Sequence, residues 1–232
     1  QEAAYQAVLA EMAGQRRPFL LWGITGSGKT EIYLRLLEQA IASGRQGMLL
    51  VPEIALAGQM VAFLRRRLDV PTAVLHSGLS LAQRRHTWQR IAEGAYPLVI
   101  GARSAIFAPL PNLGMVILDE EQDGSYKQDN APRFHSREVA KELCRLHGAQ
   151  LVLGSATPAV ETAYAAQTKH YALAALKNRY YGMPLPQVQI VDMRQELRAG
   201  NHSLFSKALQ EGVAGCLERG EQILLLLNRR GY

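Results

Sequence analysis

Short runs of uninterrupted apolar residues alternate with stretches in which apolar positions return every three to four residues, and this rhythm governs the chain as far as Tyr171. Ala4, Val8, Leu9 and Met12 share one helical face, which predicts a helix over 2–12. A strand is predicted over 18–22 and a helix from 31. Gly44 to Gly47 break that helix before a strand over 48–51, which Pro52 ends. Helix 57–68, strand 72–76, helix 80–94 and strands 98–100 and 115–118 follow, then helix 137–147 and strand 150–153. Short strands that are apolar on both faces, separated by helices, predict an α/β fold whose parallel sheet is sandwiched by helices. Ligands of such sheets lie beyond the carboxyl ends of the strands, so the loops there are the place to look for chemistry.

After Tyr171 the rhythm changes. Gly182, Pro184 and Pro186 mark 177–186 as a connector. Strand 188–191, helix 206–219 and the very apolar strand 222–227 then predict a second domain. We expect residues 1–183 to form one domain and residues 184–232 the truncated start of another. With Gln as its first residue and Tyr232 directly after a glycine, the sequence reads as a piece of a longer polypeptide.

The loop between the strand at 18–22 and the helix from 31 is Gly23-Ile24-Thr25-Gly26-Ser27-Gly28-Lys29-Thr30, which fills every fixed position of the phosphate-binding pattern G-x-x-x-x-G-K-[ST]. Glycines allow successive backbone N–H groups to turn inward around phosphate oxygens, and the helix N-terminus that follows favours the same anion. Gly23, Thr25, Gly26, Ser27, Gly28, Lys29 and Thr30 are therefore expected to bind a nucleotide. Lys29 would reach the β- and γ-phosphates, and the Thr30 hydroxyl would join a Mg²⁺ shell. Asp119 and Glu120 emerge where the strand 115–118 ends. Asp119 is expected to hold Mg²⁺ and Glu120 to orient or deprotonate an attacking water, which makes Lys29, Asp119 and Glu120 the catalytic set. Ser155 and Thr157 follow the strand 150–153, where their hydroxyls would link the nucleotide site to a moving partner or simply cap a helix.

Charge adds little: 26 Lys and Arg against 20 Asp and Glu give a formal +6, compatible with a polyanionic partner without requiring one. Between Asp123 and Arg137, however, Tyr126 and Phe134 occur with Lys127, Arg133 and His135. Rings that stack on bases and cations that neutralise phosphates suit single-stranded DNA; the alternative is that the two rings pin the loop to the core. Cys144 and Cys216 stand too far apart in sequence for a C-x-x-C metal site, and they read as reduced thiols of a cytoplasmic protein. No apolar run approaches membrane-spanning length, so no membrane partner is expected.

The ordered set of motifs resembles superfamily 2 helicases, and within them the PriA family of primosomal replication-restart helicases. The segments that carry the likeness are 23–31, Val51-Pro52-Glu53-Ile54-Ala55-Leu56, Leu75-His76-Ser77-Gly78-Leu79-Ser80, Arg103-Ser104-Ala105-Ile106-Phe107, Asp119-Glu120-Glu121, Ser125-Tyr126-Lys127-Gln128, Gly154-Ser155-Ala156-Thr157-Pro158-Ala159 and Asn228-Arg229-Arg230-Gly231-Tyr232. The resemblance implies a RecA-like P-loop ATPase lobe with the start of a second one. It implies ATP and Mg²⁺ as cofactors, and translocation on single-stranded and forked DNA alongside other primosome and replication-restart proteins. Gln1 would touch adenine, and Pro52, Glu53, Ser77, Gly78, Arg103 and Ser104 would track the DNA backbone. Tyr126, Lys127, Arg133 and Phe134 would sense DNA and, with Gln122, Ser155 and Thr157, signal to the ATPase. Zinc-binding cysteines belong to a later part of such proteins. Gln122 stands where the family usually has His, Ala102 where it has Thr, Ala57-Gly58 where it has Thr-Pro, and Pro132 where it has Trp. Competing readings are a P-loop kinase or GTPase, though no Asn-Lys-x-Asp base-reading motif is present, and a nucleotide-binding scaffold that loads other replication proteins.

Overall fold

A computed structural model describes residues 1–52, 59–179 and 186–226. The expectations for Glu53, for the start of the helix at 57, for the connector around Gly182 and Pro184, and for 227–232 lie outside the described residues. Two compact units are present, Gln1–Met183 and Pro184–Tyr232.

The first unit contains helices α1 (Glu2–Ala13), α2 (Lys29–Ala42), α3 (Gln59–Leu68), α4 (Leu81–Ala92), α5 (Ser136–His147) and α6 (Val160–Gln167). Its sheet uses strands β1 (Phe19–Gly23), β2 (Gln46–Leu50), β3 (Thr72–Leu75), β4 (Leu98–Gly101), β5 (Leu113–Asp119), β8 (Gln150–Ser155) and β9 (Ala172–Leu176) in the order β3-β4-β2-β5-β8-β1-β9. Every neighbouring pair is parallel. The strands are apolar throughout because both faces are covered. Along β5, Met115 and Ile117 enter the core under α1, α2 and α3, whereas Val116 and Leu118 enter the one on the other face, under α5. A two-stranded antiparallel ribbon, β6 (Lys127–Gln128) with β7 (Phe134–His135), stands beside the sheet.

Local sequence explains several boundaries. Ser80 and Gln83 form a reciprocal capping box at the start of α4. The imidazole of His135 accepts from Arg137 N at 3.2 Å to cap α5, and Gly148, at φ +56°, ends that helix. The edge strand β9 was not expected. Its Ala-Leu composition favours helix, and pairing with β1 overrides that preference.

The second unit contains α7 (Met193–Arg198), capped by Asp192, and α8 (Lys207–Glu218), capped by Ser206. Here two strand expectations fail. Residues 188–191 and 222–226 have no ladder, and Ile190 and Leu224 are more than nine-tenths exposed. A strand exists only through its neighbours, and among the described residues of this unit none is available.

Candidate functional site

β1, β5 and β8 end side by side at the carboxyl edge of the sheet. From β1 the chain turns through the glycine loop, with Ser27 N donating to Ile24 O at 3.0 Å, and enters α2 at Lys29. Gly26 and Gly28 have φ of +77° and +86°, a region that side chains resist. A Cβ on Gly28 would also fall 1.9 Å from Gln1 Nε2. That amide donates to Ser27 O at 3.0 Å, so Gln1 lies against the phosphate loop. Its position follows from the docking of α1 on α2, where Arg35 bonds Glu2 at 2.6 Å and stacks 3.9 Å from the Tyr5 ring centroid.

Lys29 is buried, with Nζ donating to Gly23 O at 2.9 Å and lying 3.6 Å from Glu120 Oε1. Asp119 is buried at the end of β5, where its Oδ1 accepts from Tyr33 Oη at 2.8 Å and its carbonyl from Tyr126 Oη at 2.7 Å. Burial raises the Asp119 carboxyl above its ordinary range; the Tyr33 hydrogen bond and the nearby Lys29 oppose that shift, and Glu120 adds to it. Burial, reinforced by the charge of Asp119, pushes the Tyr33 phenol far up, so it remains a donor. Glu120 takes the left-handed backbone region at φ +47°, a strained position for a side-chain-bearing residue. Its Oε2 accepts from Gln122 Nε2 at 3.0 Å, while Gln122 Oε1 accepts from Ser155 Oγ at 2.6 Å. Ser155 Oγ in turn accepts from Thr157 N at 2.9 Å. Glu120, Gln122 and Ser155 thus form one chain of hydrogen bonds between the ends of β5 and β8. Thr157 joins it only through its backbone, and Thr25 and Thr157 are exposed.

Glu121 was absent from the sequence expectation as a site residue. It is fully buried and accepts from Arg137 Nη1 at 3.0 Å, from Thr162 Oγ1 at 3.0 Å and from Ala159 N at 2.8 Å. The third member of the acidic run is therefore the anchor that ties α5 and α6 to the site. Two signals in the sequence pointed to it: a carboxylate following a buried strand, and an arginine at the start of the next helix.

The expected DNA face splits. Ser77, Arg103 and Ser104 come together with Arg84, Ala102 and Ser125 around a cleft of about 200 Å³ beyond β3 and β4. Arg84 reaches this cleft from α4. Gly78 N bonds back to His76 Nδ1 at 3.1 Å, and Pro52 is buried. Arg103 is not a free cation: its Nη1 donates to Ser125 O at 3.2 Å and to Lys127 O at 2.5 Å, so it holds the loop that carries the ribbon. Two expectations are corrected here. Tyr126 is wholly buried and cannot stack on a base, because its hydroxyl has been drawn in to Asp119. His135 is a neutral helix cap, its pKa lowered by burial and by Arg137. Phe134 is half-buried and packs edge-to-face on Phe107, with centroids 4.9 Å apart. Lys127 and Arg133 are exposed.

A family model described as DEAD/DEAH box helicase matches residues 1–165. The replication restart protein PriA of Bacillus subtilis is 47% identical over the whole chain, and that of Chlamydia pneumoniae 40%; the chain spans 29% and 31% of those relatives, less than a third of each. Among solved structures, RecG bound to a three-way DNA junction covers 95% of the chain at TM-score 0.59 and 21% identity, the chain covering 28% of it. The helicase MrfA bound to DNA covers 76% at TM-score 0.55 and 21% identity, the chain covering 25% of it; both likenesses are of fold. With its phosphate loop, its acidic pair and its parallel sheet in these places, the chain belongs to the DEAD/DEAH box helicase family.

Proposed function

We propose that this chain is the ATP-binding RecA-like lobe, followed by the start of a second lobe, of a PriA-type helicase that couples ATP hydrolysis to movement along single-stranded DNA during replication restart. The observation that carries this reading is the convergence of Lys29, Asp119 and Glu120 at one sheet edge beside a phosphate loop. The residues fit a nucleotide with Mg²⁺. Ser27 Oγ is buried in the loop without a partner among the described residues, Lys29 Nζ is held on Gly23 O, and Asp119 is a buried carboxylate whose charge a dication would offset. Thr30 and Asp119 would hold Mg²⁺, which supplies positive charge against the phosphates. Lys29 binds the β- and γ-phosphates, Gln1 contacts adenine beside the loop, and Glu120 accepts the proton of the attacking water. Gln122 passes the state of Glu120 to Ser155 and Thr157. Ser77, Gly78, Arg84, Arg103 and Ser104, with Glu53, follow the DNA backbone, and the buried Pro52 shapes the chain that leads to Glu53, while Lys127, Arg133 and Phe134 sense the strand.

Among the described residues no arginine contacts Lys29, Asp119 or Glu120. An arginine that stabilises the phosphoryl transition state is worth about 10³–10⁵ in rate. The 232-residue chain by itself is therefore expected to bind Mg·ATP and hydrolyse it negligibly. The test is phosphate release by a longer protein containing this segment. Single-stranded DNA should stimulate its release, and Lys29→Ala should abolish it; a DNA-independent rate unaffected by Lys29→Ala would sink the reading.

A further inference from the structure

The hydroxyl of Tyr33 has no role in the chemistry above, yet the interior is arranged around it. Tyr33 lies one helical turn beyond Lys29 on α2 and is fully buried. Phenylalanine would fill the same apolar space, whereas a buried phenol must find an acceptor. The acceptor it meets is Oδ1 of Asp119, at 2.8 Å. Room for this contact comes from a third element. A Cβ on Gly154, which pairs with Asp119 across β5 and β8, would fall 1.6 Å from Tyr33 Oη and 2.7 Å from its Cζ. The phosphate-loop helix, the acidic strand and the hydroxyl-bearing strand therefore interlock at one hydrogen bond, and Gly154 is the residue that admits it.

We propose that Tyr33 is a positioning residue for the metal carboxylate, and that Gly154 is required because it leaves space for the Tyr33 hydroxyl. With Oδ1 engaged from α2, the carboxyl plane is fixed and Oδ2 is left for the ion shell. The helix that starts with Lys29 and the carboxylate that faces Mg²⁺ then move as one body. This rests on the reading of Asp119 as the Mg²⁺ residue and deepens it, adding an outer-shell partner of the kind that orients metal-holding groups elsewhere.

The test is calorimetric binding of a non-hydrolysable ATP analogue to the chain, first in EDTA and then across a Mg²⁺ series, for wild type and Tyr33→Phe. The affinity in EDTA should agree within about two-fold, because phosphate-loop contacts are intact, while the Mg²⁺ midpoint should rise about ten-fold, the usual effect of removing an outer-shell partner. A general loss of packing would weaken both conditions alike, and that result, like an unchanged midpoint, overturns the proposal. If wild type itself shows no gain from Mg²⁺, the reading of Asp119 falls with it. A Tyr33→Phe protein that does not fold would show the hydroxyl holding the fold rather than the carboxylate and would overturn the proposal. Gly154→Ala, which crowds the phenol off Asp119, should raise the midpoint in wild type and add little in Tyr33→Phe, and an equal rise in both overturns the part assigned to Gly154.

Discussion

Two regions at the carboxyl edge of the same sheet handle charge in opposite ways. Beyond β5 and β8 the charges are interior: Glu121 has no exposed surface and three donors, Asp119 is buried against Tyr33, and Lys29 lies between Gly23 O and Glu120. Beyond β3 and β4 they are near the surface. Arg103 spends hydrogen bonds on main-chain carbonyls, and the side chains of Lys127 and Arg133 are exposed, with only Asp129 as a partner among the described residues. An interior charge is held by partners that cannot be removed singly without leaving the rest uncompensated, at a cost of about 3–5 kcal/mol. A surface charge is held loosely, which suits a polyanion whose contacts change at every step.

The contrast is broken most severely at Glu121. Glu121→Ala leaves the part-buried Arg137 with only the exposed Glu138 carboxylate at 3.4 Å, and leaves the Ala159 N–H at the start of α6 without its acceptor. It should cost about 3–5 kcal/mol of unfolding free energy, read by urea or thermal unfolding. A loss below about 1 kcal/mol would show that this side behaves like a surface. At Gln122 the effect should fall on coupling. Gln122→Ala cuts the link from Glu120 to Ser155 and should lower DNA-stimulated phosphate release in a longer protein roughly ten-fold, whereas Gln122→His, which still donates, should retain it.

Asp119 sharpens the comparison with the opposite sign. Its folded-state pKa is raised, so the ionised carboxylate destabilises the fold at neutral pH, and that penalty disappears as pH falls through the folded pKa to below the unfolded one. Asp119→Asn should therefore raise the melting temperature at pH 7 by a few degrees, about 2–4 °C per kcal/mol released, with the difference shrinking in acid while Mg²⁺ dependence is lost. The smallest change is expected on the open side. Arg103→Ala should alter stability by under about 1 kcal/mol, yet reduce the salt slope of single-strand binding by about one ion. A large loss of stability there would mean that Arg103 is interior in its energetics.

The two sides were also unequally legible. On the nucleotide side the pattern dictates place. The glycine loop needs a strand before it and a helix after it, and both formed; the acidic run ends β5, where a buried strand leaves it. What stayed hidden there was the division of labour within the run, because Glu120 and Glu121 are the same residue type and differ only in which way each side chain turns. Tyr33 looked like any apolar residue of α2, and only the position of Asp119 gives its hydroxyl a purpose. On the other side, residues 123–137 offered a list of aromatics and cations with no period to assign them. The same composition fits rings turned out to bases or rings turned in to the core, and Tyr126 turned in. The apolar stretches at 188–191 and 222–226 misled for a related reason, since strand propensity describes fit to a sheet and no neighbouring strand is present among the described residues of that unit.

The central claim is that the carboxyl edge of β1 and β5 is a nucleotide site organised by Lys29, and direct calorimetry of Mg·ATP with wild type and Lys29→Ala tests it most directly. Loss of a buried, charged hydrogen-bond donor to phosphate should weaken binding by roughly 10–100-fold. Equal affinity in the two proteins would contradict the account.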